Sequence, residues 1–164
     1  MAKAFKVKKV APDTPAPAAA RRVLRTRLRE FYSHWPDPDS APAPVEIHNM
    51  RISGKRLRYS ADSLRTLYPD QLALLLDLLK KQQDLLGAFQ DCVTQRAAVE
   101  AEIASRRRRG APPPEVAALE GLTAAYDERQ AQLFTNLTYI WRGMMGRKFR
   151  ASLKDMISNF KPGV

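Results

Sequence analysis

Twelve prolines, gathered into a few clusters, decide where this chain can be helical. Proline lacks the N–H that a helix interior needs, and its ring collides with the preceding turn. It is tolerated at a first helical turn and excluded further in. The clusters are Pro12, Pro15 and Pro17; Pro36, Pro38, Pro42 and Pro44; Pro69 alone; Pro112, Pro113 and Pro114; and Pro162. Between them the chain is rich in Leu, Ala, Arg, Gln and Glu, all good helix formers. No stretch sustains a period of two, so no strand is expected. The expected fold class is all-α: an antiparallel bundle of four to five helices, two of them long.

Read in order, residues 1–17 hold Lys, Ala and Pro with little apolar content, which predicts a disordered basic arm. Residues 18–161 hold the bundle. A short helix is expected over 18–34, with Leu24, Leu28, Phe31 and Trp35 on one stripe. A Pro/Asp/Ala linker follows at 36–44. A second helix is expected over 45–68, ended by Pro69. A third runs from 70 to about 109, roughly 60 Å at 1.5 Å per residue. Its stripe is Leu72, Leu75, Leu79, Leu86, Val93 and Ala97. Residues 115–160 are helical again, and a break is expected near Gly143 or Gly146.

The chain carries 28 Lys and Arg against 17 Asp and Glu, a net charge of +11. Such a surplus points to nucleic acid, an anionic membrane face or another polyanion. The longest uncharged run with real apolar content, 130–141, is too short and too polar to span a bilayer. No secretory signal is visible, and a soluble, cytoplasmic protein is expected. Cys92 is the only cysteine, which excludes an intrachain disulfide and a zinc site built on several thiolates. It falls near an apolar stripe and reads as core. His34 and His48 lie on different predicted helices. Phosphate-loop, dinucleotide and zinc-protease motifs are absent, so neither cofactor nor catalysis is expected.

The most informative cationic stretch is 48–59, with four guanidinium or ammonium groups, one imidazole and no carboxylate. At 100° per residue, His48, Arg51, Lys55, Arg58 and Tyr59 share one sector of the helix. Ile47, Met50, Gly54, Leu57, Ala61 and Leu64 lie on another. Arg56 points elsewhere and widens the basic surface. Gly54, costly in a helix interior, suggests close approach of a neighbouring helix, and Gly87 reads the same way. A late stripe repeats the division: Arg147, Arg150 and Lys154 opposite Phe149, Leu153, Met156 and Phe160. The first helix adds Arg21, Arg22, Arg25 and Arg29. One reading is a solvated face; the other is a composite polyanion surface, favoured by the lack of acidic i+4 partners inside the run.

The pattern H-x-x-R-x-x-x-K-R-x-R-Y, formed by His48, Arg51, Lys55, Arg56, Arg58 and Tyr59, resembles the signature of the CHAD family, the conserved-histidine α-helical domains. A second match follows. Leu79, Lys80, Gln83, Leu86 and Gly87, with Asp91 beyond, are similar to that family's L-K-x-x-Q-x-x-L-G-x-x-x-D segment. The resemblance spans residues 45–93. It implies a helical domain that binds inorganic polyphosphate through basic helix faces and is associated with polyphosphate granules. Arg51, Lys55 and Arg58 become the principal expected contacts. His48, Arg56, Tyr59, Lys80, Arg25, Arg147, Arg150 and Lys154 complete the expected set. Gln83 and Asp91 are expected to orient the basic side chains. The family's domain has two similar halves; one copy is found here, most like the second. Either that half works alone, or two chains pair as a homodimer to rebuild the groove. A nucleic-acid-binding basic protein is the competing reading, although few aromatics interleave with the cations.

Overall fold

The structure, a computed structural model, describes residues 3–34, 40 and 43–159. Among these it has five helices and no strand: α1 (Ala16–Tyr32), α2 (Pro44–Asp62), α3 (Pro69–Arg108), α4 (Pro113–Met145) and α5 (Arg147–Ser158). The expected all-α fold is the observed one. Trp35, Phe160 and most of the 36–44 linker lie outside the described residues.

Prolines start these helices more often than they end them. Pro17, Pro44, Pro69 and Pro113 all fall in first turns, where the missing N–H has no partner to lose. The expectation that Pro69 ends the second helix is therefore corrected. α2 stops at Asp62, residues 63–67 form turns, and Pro69 opens α3. Glu46 strengthens the start of α2 by accepting the Ala43 N–H at 2.7 Å, one half of a capping box.

The helices fall into two compact units, Met1–Asp84 with Ile140–Val164, and Leu85–Tyr139. In the first, α1 packs on α2 and α5. Its core holds Leu24, Met50, Leu57, Leu72, Leu75 and Leu79, all essentially without exposure. An aromatic cluster joins them: the Trp141 ring centroid lies 5.2 Å from Phe31 and 5.9 Å from Tyr32. The Tyr32 hydroxyl donates to the Met144 carbonyl at 2.8 Å. That carbonyl belongs to the last turn of α4, where no intrahelical donor follows. The break between α4 and α5 falls at Gly146, one of the two expected positions.

The second unit is an antiparallel pair made from the rest of α3 and α4. Phe89 meets Phe134 at 6.4 Å between centroids, and Arg96 donates to Asp127 at 2.6 Å. The turn is a Schellman cap: Ala111 N–H reaches the Arg106 carbonyl and Gly110 N–H that of Arg107. Gly110 supplies the left-handed φ of 70° this cap requires. The α3 stripe fades along this unit, with Leu86 buried, Val93 half-buried and Ala97 exposed.

Candidate anion-binding site

α2 divides as its sequence dictates. Ile47, Met50, Gly54, Leu57 and Ala61 are buried, while Leu64 falls in the turns after the helix. A Cβ on Gly54 would lie 3.3 Å from both Phe31 and Gln82, so the close approach expected there is real. Gly87 differs: among the described residues nothing lies within 4 Å of where its Cβ would be.

His48, Arg51, Lys55 and Arg58 are half-buried and Tyr59 is exposed. Among the described residues, neither Arg51 nor Lys55 closes on a carboxylate. Arg58 is held in place, its Nε–H donating to Gln83 Oε1 at 3.0 Å and its guanidinium lying 4.8 Å from the Tyr59 ring centroid. Gln83 thus orients a basic side chain, as expected of it. Asp91 belongs to the other unit and is exposed.

Arg56 requires a correction. It does not widen the cationic surface: its Nη1 donates to Glu30 Oε1 at 2.5 Å. Glu30 has no solvent exposure. It also pairs with Arg27 and accepts the Phe5 N–H at 3.2 Å. A buried carboxylate must be compensated, and Arg56 does this from the neighbouring helix. Glu30 was missed by sequence reasoning, although it is the lone acid among the arginines of α1.

The remaining expected residues separate. Lys80 pairs with Asp84 at 3.1 Å, both well exposed, an arrangement that contributes little. Arg25 donates from Nη2 to Ser158 Oγ at 2.7 Å, linking α1 to α5. Arg150 is turned inward, its guanidinium 4.5 Å from the Tyr32 ring centroid and its Nε buried. Arg147 and Lys154 are exposed on α5. Burial pushes the Tyr32 hydroxyl up to about 12, with Arg150 opposing. Burial also lowers the His34 imidazole from its ordinary value; Glu30 opposes this and Arg56 adds to it. Cys92 is buried and free.

Gln82, also missed, is fully buried beside Gly54, with no hydrogen-bond partner among the described residues at either amide atom. Among the described residues no three His, Cys, Asp or Glu side chains are grouped to hold a metal ion. No helix there is long and apolar enough to cross a membrane.

Charge is segregated between the units. Leu85–Tyr139 carries six basic and seven acidic side chains, a net of −1, while the rest of the chain carries 22 and ten, a net of +12. In the hairpin the signs are matched in pairs, such as Arg96 with Asp127, Arg106 with Glu115 and Arg107 with Glu120. The entire surplus therefore belongs to the unit that contains α2.

No curated protein matches the chain. The model of one family, the CHAD domain, matches residues 2–100.

Proposed function

Because this chain belongs to the CHAD domain family, which is associated with polyphosphate binding, we propose that it binds inorganic polyphosphate along the exposed side of α2. Arg51, Lys55 and Arg58 are the principal contacts. The observation that carries this reading is the division of α2: one flank is buried against α1 and α3, and the other keeps Arg51 and Lys55 without a carboxylate.

Polyphosphate offers a line of charged oxygens and no bases, so recognition is electrostatic and geometric. Arg51 and Arg58 can each bridge two oxygens, while Lys55 acts as a point charge. Gln83 and the Tyr59 ring hold Arg58 ready, which lowers the ordering cost of binding. His48 adds a donor one turn before Arg51. Counterion release supplies much of the affinity, so binding weakens steeply with salt. The chain binds its ligand without turning it over: Glu30, the carboxylate that reaches α2, is buried as a counterion and is not presented to a ligand. Cytoplasmic residence, association with polyphosphate granules, and a homodimer that brings two cationic faces together belong to the same proposal. Light scattering reads the last.

The test is a polyphosphate titration across salt for the parent and for Arg51→Ala/Lys55→Ala/Arg58→Ala. The triple variant should lose at least tenfold in affinity with its helical circular dichroism intact. Double-stranded DNA, added as competitor, should displace polyphosphate poorly. Equal binding by parent and variant at physiological salt would place the site elsewhere, and released phosphate with Mg²⁺ would make the chain an enzyme.

A further inference from the structure

The segment before α1 forms with that helix a second cationic surface, whose lining includes no residue of the α2 motif. Residues 3–15 lie ahead of that helix. A turn closed by Thr14 N–H on the Ala11 carbonyl, with Ala11 N–H on Thr14 Oγ1 at 2.8 Å, reverses the chain ahead of α1. Lys9, with φ of 61°, bends it again. The strand of chain then runs back along α1 as far as Phe5. There its N–H meets Glu30 and its ring lies 5.4 Å from the Arg29 guanidinium. Phe5 and Val7 are half-buried, and Lys6 and Lys8 are exposed.

The result is a groove of about 380 Å³ lined by Lys6, Lys8, Arg22, Arg25, Thr26 and Arg29. Five of these six side chains are cationic and none is a carboxylate. Like charges held this close repel one another unless an anion joins them. We infer that this groove is a second anion site, one that takes phosphoryl groups of a polyphosphate chain independently of the α2 face. The inference rests on the polyphosphate reading above for its ligand. The lining offers a nucleobase no aromatic ring to stack on. Thr26 offers no donor of its own, since its hydroxyl already donates to the Arg22 carbonyl at 2.8 Å. Recognition is therefore by charge.

Tripolyphosphate is the probe, and backbone amide shifts in two-dimensional NMR of the full chain are the readout. In the Arg51→Ala/Lys55→Ala/Arg58→Ala variant, tripolyphosphate should still shift the amides of Lys6, Lys8 and Thr26. Adding Lys6→Ala and Lys8→Ala should weaken that response at least fivefold. Both lysines are exposed, so folding is not at risk. Loss of the Lys6, Lys8 and Thr26 shifts in the α2 variant overturns the second site, as does a full-strength Thr26 shift once Lys6 and Lys8 are replaced. Failure of the polyphosphate reading looks different: the parent then shows no amide shift at either surface.

Discussion

Arg56 on α2 and Glu30 on α1 form an ion pair at 2.5 Å on a carboxylate that has no solvent exposure. The same carboxylate holds Arg27 and the Phe5 amide. One acid therefore ties the N-terminal segment, α1 and α2 together, and it sits behind the cationic flank of α2, not on it.

Replacing Glu30 with Gln strands two guanidinium groups on a neutral amide. Breaking a buried pair costs about 3–5 kcal/mol. The partial exposure of Arg27 and Arg56, 15% and 26% at the side chain, puts Glu30→Gln toward the lower end. Urea unfolding measures this, and a loss under about 1 kcal/mol would show that the hub is not structural.

Two arginines five positions apart should fail in different ways. Arg51→Ala should leave stability within about 0.5 kcal/mol of the parent and reduce the salt slope of polyphosphate binding by about 1. Arg56→Ala should destabilise the fold and change affinity less than Arg51→Ala does. Paired denaturation and binding curves read both, and the reverse ranking would exchange their roles.

The two motif glycines should also part company. Gly54→Leu forces a side chain into Phe31 and Gln82, and overpacking of this kind costs about 1–3 kcal/mol. Gly87→Ala meets open space and gains helix propensity, up to about 1 kcal/mol. Thermal unfolding should show a fall for the first and a rise for the second; a fall for both would mean that Gly87 is packed in solution.

His34 makes stability depend on pH. Burial lowers its imidazole below the ordinary value of 6.5, so the unfolded chain takes up this proton first. Stability is complete above 6.5, declines as pH drops through it, and levels off once the folded form is protonated too. His34→Gln should flatten that part of the profile, and an unchanged profile would assign it to other groups.

The Tyr32 hydroxyl satisfies a carbonyl at the end of α4. With its ionisation pushed up to about 12, it remains a donor at any ordinary pH. Tyr32→Phe leaves the buried Met144 carbonyl unpaired, at a cost of about 1–3 kcal/mol. Equal unfolding midpoints for the two proteins would mean that water takes the hydroxyl's place.

Helix number, the long α3 and the break at Gly146 were legible because proline and a 3.6-residue period are local signals. So was the inward flank of α2, which needs only an angle per residue. The fate of individual cations was not. Helical angle already sets Arg56 apart from Arg51, but that Arg56 closes on a carboxylate depends on Glu30, which arrives from another helix. Arg150 likewise turns inward because Tyr32 offers a ring there. The contacts of the segment before α1 are illegible for a different reason. Its alternation, Phe5 and Val7 against Lys6 and Lys8, lasts four residues, and its anchor is a main-chain amide that composition does not register.

Confining the surplus charge to one unit has a colloidal consequence. A polyanion that neutralises that unit leaves the hairpin as it was, with mixed charges facing water and a net of only −1. Proteins brought to zero net charge tend to precipitate, but a hydrated surface of interspersed signs resists this. On the polyphosphate binding proposed above, each seated copy would keep such a surface, and the chain would coat the strand to electroneutrality and stay dispersed.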